Sequence, residues 1–249
     1  MMSANPILEA RAVSRQFGKF KALQNINVAF RAGELTAIIG PNGAGKSTFF
    51  NVISGGVPAS SGQVLFDGRD ITALAAHDYA RIGIAKSFQI TNVFKQLSAH
   101  ENVRVALQMR VSKFQILRAR QGYAELIQRA DDLLVRVGLT HSRNKLAGDL
   151  AHGQQRSLEV AMALACEPKL LLMDEPTAGM SPQETGVMME LILQLAQERT
   201  VILVEHKMKM VMGLCKRLVV LHHGELLADG NPDDIRNNAE VKRVYLGQG

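Results

Sequence analysis

Gly40-Pro41-Asn42-Gly43-Ala44-Gly45-Lys46-Ser47-Thr48 follows the spacing G-x-x-x-x-G-K-[ST]. An apolar run, Leu35 to Ile39, leads into it, and Lys46 to Ile53 has helical spacing behind it. A glycine-rich turn in that context aims successive backbone N–H groups at phosphate oxygens, and the helix N-terminus adds its dipole. Asn42, Gly43, Ala44 and Gly45 form the cradle, Lys46 reaches the β- and γ-phosphates, Ser47 ligates Mg²⁺, and Thr48 lies near the α-phosphate. A second strand-like run, Leu170 to Met173, ends in Asp174-Glu175. An acid in the first position holds Mg²⁺, usually through water, and the acid beside it orients and deprotonates the attacking water. Alone, the same pair before Pro176 reads equally as a helix cap. The nearest match to a guanine-reading Asn-Lys-x-Asp is Asn144-Lys145-Leu146-Ala147, which lacks the acid, so adenine is expected.

Other residues gain meaning from their order around these two motifs. Phe17 reads alone as an edge-strand core residue, Gln89 as a solvated amide and His206 as a structural histidine. Met208, Met210 and Met212 suit core packing better than a thioether site, and His222-His223 before Gly224 suits a hairpin turn better than a ligand pair.

Leu150-Ala151-His152-Gly153-Gln154-Gln155-Arg156 ends 18 residues before Asp174 and opens an apolar-periodic helix. Here the sequence resembles the ATP-binding subunits of ABC transporters, whose signature reads Leu-Ser-Gly-Gly-Gln. The resemblance covers essentially the whole chain. It places Phe17 as the aromatic that stacks on adenine, Ser87-Phe88-Gln89 as the Q-loop, with Gln89 at the metal and the attacking water, and His206 as the switch histidine. It also implies that Ala151, Gly153 and Gln154 contact ATP held by an opposite subunit. Two departures stand out. Ala151 and His152 replace the signature serine and first glycine, and Pro176 to Pro182 replaces the usual Ser-Ala-Leu-Asp of the D-loop, with Ser181 in the aspartate's place. Both resemble the branched-chain amino-acid importers, as do Ala178 to Thr185, Val211 to Cys215 and the ending Glu240 to Gly247. Urea importers and the lipopolysaccharide-export ATPase share much of this pattern.

The resemblance implies one ABC ATPase domain over residues 1–249. Its α/β, RecA-like core of a P-loop NTPase (1–91 and 157–249) carries an N-terminal antiparallel β element, and a helical subdomain (92–156) is inserted into it. It implies ATP and Mg²⁺ as ligands, membrane permease subunits as partners, and a second ATPase subunit, a heterodimer leading over a homodimer. A periplasmic binding protein would act indirectly, and the site of action would be the cytoplasmic face of the membrane.

The elements that must position these residues are legible in part. Continuous apolar runs at Leu170 to Met173 and Val201 to Val204 suit central parallel strands, and Pro182 to Arg199 between them has helical spacing. Val64 to Phe66 reads as a strand, and Leu218 to Leu221 with Glu225 to Ala228 as a terminal hairpin. Ala99 to Leu139 is helical in period and lacks strand-like runs. Composition agrees with a globular chain: 249 residues, 47% hydrophobic and 21% charged, enough to bury a sizeable core. Leu158 to Cys166 is broken by Glu159, too short a run for the ~18–20 residues of a span. Met1 to Pro6 lacks the look of a secretory signal, and two cysteines give no disulfide framework or zinc spacing. The net charge is +6, and the stretch from Arg104 to Lys145, with nine basic residues against three acids, accounts for it. Its aromatics, Phe114 and Tyr123, are too few for a base-stacking platform, so no nucleic-acid partner is expected. A solvated helical surface and a face near phospholipid headgroups both remain open.

Overall fold

A computed structural model describes residues 6–87, 93–108, 121–206 and 208–246. The chain opens with antiparallel strands β1 (Pro6–Phe17) and β2 (Phe20–Arg31), then the strand–loop–helix unit β3 (Leu35–Ile39) and α1 (Lys46–Ile53). β4 (Ser61–Phe66), β5 (Arg69–Asp70), α2 (Tyr79–Ile82) and β6 (Ile84–Ser87) follow. Three helices, α3 (Ala99–Gln108), α4 (Gln121–Arg136) and α5 (His152–Leu164), lead to β7 (Leu170–Asp174), α6 (Pro182–Ala196) and β8 (Thr200–Val204). α7 (Met208–Leu214), the hairpin β9 (Arg217–His222) and β10 (Glu225–Gly230), and helices α8 (Pro232–Asn237) and α9 (Ala239–Leu246) close it.

The strands form two sheets, one of order β2-β1-β4-β5 and one of order β10-β9-β3-β8-β7-β6. The first is antiparallel; in the second, every pair is parallel except the β9–β10 hairpin. β3, β7 and β8 are buried at every position, which is why their sequences run apolar without alternation. Side chains still point alternately. Ala37, Ile39, Leu171, Met173, Val201 and Leu203 join one core with Ala99, Val103, Leu134 and Leu158 of the helical segment. Ile38, Leu170, Leu172, Ile202 and Val204 join the other, with Phe49 and Phe50 of α1 and residues of β1 and β2. Each phenylalanine is fully buried, worth about 1.5–3 kcal/mol by transfer. These two cores clamp the central sheet, and its strands end along one edge. The helical segment shares a continuous core with the sheet, and α5 runs unbroken through position 156.

β1 and β2 are 12-residue strands whose pairing shifts register between Ala10 and Val13. Ala12 and Asn25 take φ of 49° and 51°, and side chains repair the interrupted ladder. Asn27 Oδ1 accepts from Ala12 N at 2.9 Å, and Ser14 Oγ accepts from Asn25 N at 2.9 Å. In the terminal hairpin, His223 and Gly224 form a two-residue turn with φ of 50° and 78°, the mirror-type turn that suits twisted strands. Of the His222-His223 pair, His223 is therefore turn geometry and His222 the last residue of β9. Among the described basic residues, Arg129, Arg136 and Arg143 pair with Glu167, Glu198 and Asp131, which favours the solvated-surface reading of that stretch.

Candidate active site

Parallel strands deliver their C-terminal ends to one edge, where ligands of open α/β sheets bind. β3 ends in the phosphate-type loop, β7 in Asp174-Glu175 and β8 in Glu205-His206, and β7 and β8 lie between β3 and β6 in the sheet. Hydrogen bonding continues past the strand ends: Glu205 N donates to Ile38 O at 3.2 Å, and Glu175 N to Val204 O at 2.9 Å. Gly40, Gly43 and Gly45 take φ of 157°, 77° and 98°, so the loop bends back on itself before α1 begins. Lys46 is buried, and its Nζ donates to Gly40 O at 2.8 Å and Pro41 O at 2.9 Å. Burial lowers its pKa, partly opposed by the charges of Glu175 and Asp174.

Around Lys46 stand the acids. Asp174 is buried, its Oδ1 has no hydrogen-bond partner, and desolvation raises its pKa against the pull of Lys86. Glu175 holds φ at 45°, a left-handed conformation rare for a side chain of its size. Its Oε1 lies 3.5 Å from His206 Nδ1, and His206 is about half exposed. Thus Lys46, Asp174, Glu175 and His206 converge at one edge of the sheet. Asn42, Gly43 and Ser47 are exposed on the loop and its helix start, while Ala44 is buried beneath.

Phe17 is not a core residue. It ends β1 at 45% exposure, opposite Phe20, with the Arg15 guanidinium 4.4 Å from its ring centroid. Ala151, Gly153 and Gln154 form the N-terminus of α5, where Gly153 meets Glu184 in the first turn of α6 and His152 lies against Gly179 of the preceding loop. Gln89 and Phe88 lie outside the described residues.

Comparison with known proteins bears directly on this arrangement. The ABC transporter family model matches residues 23–178, and the model of the branched-chain amino acid ATP-binding cassette transporter matches residues 225–249. The chain belongs to the ABC transporter ATP-binding family. It is 38% identical to the high-affinity branched-chain amino acid transport ATP-binding protein BraF of Pseudomonas aeruginosa, over 98% of this chain and 99% of that one. LivG of Escherichia coli strain K12, with the same description, is 37% identical over the same shares. The ADP conformation of an ATP-binding cassette of an ABC transporter superposes with a TM-score of 0.85 at 30% identity, covering 97% of this chain and 99% of that one.

Within this ABC ATPase, three residues of the site escaped sequence reasoning. Lys86 on β6 donates to Asn51 Oδ1 at 2.7 Å, lies 4.9 Å from the Phe50 ring centroid and faces Asp174 electrostatically; burial lowers its pKa. Glu205 is fully buried, and its Oε1 accepts from Thr177 Oγ1 at 2.8 Å, tying the loop after Glu175 to the loop of His206. Gly224 donates its N–H to Ala44 O at 3.0 Å, and its carbonyl accepts from Gln24 N at 2.8 Å, so the terminal hairpin braces the P-loop against β2. A lysine in a short strand and a glutamate before a histidine were visible as letters. Their partners lie 35 and 28 positions away in the chain, so no local pattern marks them.

Proposed function

We propose that this chain is the MgATP-hydrolysing subunit of a branched-chain amino-acid importer. ATP hydrolysis coupled to transport follows from the family; the cargo follows the names of BraF and LivG and the match of residues 225–249. That match and those relatives favour this cargo over lipopolysaccharide export or urea import. The observation that carries the chemistry is the Glu175–His206 contact beside a buried, unpartnered carboxylate oxygen of Asp174.

An orphaned Asp174 oxygen is costly unless a cation or its water completes it, which fits Mg²⁺ held by Asp174 and Ser47, with Gln89 as a further ligand. Bound there, the metal would neutralise charge on the β- and γ-phosphates. The P-loop amides and Lys46 hold the triphosphate, exchanging Lys46's bonds to Gly40 and Pro41 for phosphate oxygens. Phe17 offers its exposed face to adenine. Glu175 takes a proton from the water whose oxygen attacks the γ-phosphorus as the β–γ bridging bond breaks. His206 and Gln89 orient that water and the γ-phosphate.

Two such subunits would sandwich two ATP molecules, Ala151, Gly153 and Gln154 of each facing the other's nucleotide, with a different ATPase chain as the leading partner. The segment 92–156 forms the arm toward the permease, with residues 1–91 and 157–249 as the catalytic core. Phe94, 52% exposed, supports this: the buried Asn102 fixes its position, accepting from Phe94 N at 2.8 Å and donating to Phe94 O at 3.1 Å. A periplasmic binding protein would deliver the cargo from outside, and this chain would work on the cytoplasmic face. Among the described residues no helix is long and apolar enough to cross a membrane. Uptake of labelled leucine, isoleucine and valine by cells lacking this chain tests the reading. Uptake should fall, return with the parent chain and stay low with Glu175→Gln; unchanged uptake, with urea uptake lost instead, would overturn the cargo.

A further inference from the structure

A helix whose N-cap residue has no side-chain acceptor must find one elsewhere or leave first-turn N–H groups unpaired. α5 is such a helix. Its N-cap is Ala151, and Gln154 Oε1 accepts from the Ala151 N–H at 3.2 Å, so it serves the wrong side of the cap for the first turn. The acceptor for Gly153 N comes from another helix: Glu184 Oε1, at 3.2 Å. The other oxygen of that carboxylate closes the capping box of α6, accepting from Ser181 N at 3.0 Å and Ser181 Oγ at 2.9 Å. A Cβ on residue 153 would stand 2.6 Å from Glu184 Oε1, so glycine is what lets the carboxylate reach the amide. Beside it, the His152 ring lies against Gly179, where an added Cβ would meet His152 Cε1 at 3.4 Å. One carboxylate therefore caps two helices. The N–H groups of Ser181 and Gly153, the Ser181 hydroxyl and nearby His152 together hold its pKa low, so it is an anion.

We propose that Glu184 acts as an internal stand-in for the γ-phosphate of the partner's ATP, occupying the Gly153 amide in the free subunit and yielding it when the two subunits close. The proposal rests on the sandwich reading above and goes beyond it. One N–H cannot serve two anions, and a fixed carboxylate beside an incoming phosphate is repulsive, so closure requires Glu184 to swing away. That movement opens the Ser181–Glu184 cap at the start of α6, seven residues or fewer from Thr177, which is bonded to Glu205 next to His206. Arrival of the partner's nucleotide is thereby linked to the loop that follows this subunit's own Glu175.

The test uses three full-length chains: Glu175→Gln, which slows hydrolysis, and the same chain carrying Glu184→Ala or Ser181→Ala. Ser181→Ala weakens the α6 cap but leaves the Glu184–Gly153 bond. Amide hydrogen exchange resolved at Gly153 is measured without nucleotide, and dimerisation is measured by sedimentation with MgATP; thermal melting verifies that each variant is folded. Glu184→Ala should speed exchange at Gly153 and lower the dimer dissociation constant about ten-fold, the scale of one charge-assisted hydrogen bond no longer in competition. Ser181→Ala should do neither. Unchanged exchange in Glu184→Ala overturns the contact itself, whatever the fate of the sandwich. Faster exchange without a tighter dimer overturns the competition, and a tighter dimer in Ser181→Ala assigns the effect to the cap. If no chain dimerises with MgATP, either with itself or with the second ATPase subunit of its transporter, the sandwich reading falls and the proposal with it.

Discussion

Glu175 is held where few glutamates rest, at φ 45°, by its backbone bond to Val204 and by the loop that Thr177 ties to Glu205. The strain aims its carboxylate at His206. Glu175→Gln keeps the shape but cannot take the water's proton. It should retain ATP affinity and lose roughly 10²–10⁴-fold in turnover, measured by phosphate release in single-turnover and steady-state assays. Turnover close to the parent's would remove Glu175 from the role of base. Phe17 invites a different separation. Because it is 45% exposed, Phe17→Ala should barely change the denaturation midpoint yet weaken ATP binding by about 1–2 kcal/mol, with Phe17→Tyr near neutral. Calorimetric titration of the three chains decides this: equal affinities would mean that adenine does not stack there.

At the scale of elements, the terminal hairpin is more than a closing ornament on the sheet. Its turn residue Gly224 is bonded to Ala44 of the P-loop and to Gln24 of β2, and a Cβ there would stand 2.5 Å from Ala22 O. Gly138, after α4, has a similar positive φ, 73° against 78° for Gly224, with open space around it. Gly138→Ala should therefore cost only the ~1 kcal/mol of the left-handed backbone. Gly224→Ala adds a collision between backbone segments and should cost clearly more, while also weakening ATP binding through the displaced loop. Urea denaturation of both variants, with nucleotide titration of the folded protein, checks the difference. Equal losses in the two would show that the hairpin does not brace the loop. The β1–β2 pair makes a related point about legibility. Its register shifts at Ala12 and Asn25 break the two-residue alternation, so the residue pattern alone does not announce two 12-residue strands.

For the whole molecule, binding should register as stability, since in the proposed site the triphosphate and metal would join the ends of several strands. MgATP at one hundred times its dissociation constant should add about 2.7 kcal/mol to the Glu175→Gln chain and raise its melting temperature by several degrees. Asp174→Asn should lose the Mg²⁺-dependent part of that rise, because the buried oxygen with no partner is the one the cation would complete. A rise of the same size in Asp174→Asn, with the same dependence on Mg²⁺, would place the metal elsewhere. The permease contact belongs to this scale too. Phe94→Asp exchanges an exposed aromatic for a charge without disturbing the buried Asn102 beneath it. ATP binding by the free subunit should persist while co-purification with the permease is lost; intact complex formation would rule Phe94 out as an anchor.

What the sequence determined by itself was whatever local spacing encodes. The P-loop needs its glycines and lysine in a fixed short run, and a buried parallel strand must read apolar from end to end. Leu35 to Ile39, Leu170 to Met173 and Val201 to Val204 therefore stand in strands as read, with a loop and a helix from Lys46 after the first, while the turn read at His222 to Gly224 narrows to His223-Gly224 because His222 still pairs in β9. Proximity across the fold was settled by tertiary structure alone. Sheet order brings Glu175 to His206, Lys86 to Asn51 and the face of Asp174, and Glu205 to Thr177, although each pair is separated by tens of residues in the chain. The same holds for Glu184. As letters, Ser181 and Glu184 spell a capping box for one helix; that the carboxylate also caps α5, where Ala151 offers no acceptor, depends on how two helix N-termini meet in space. Hydrogen bonds between distant segments carry no period, so they become visible when the cores on the two faces of the sheet have fixed where each strand ends.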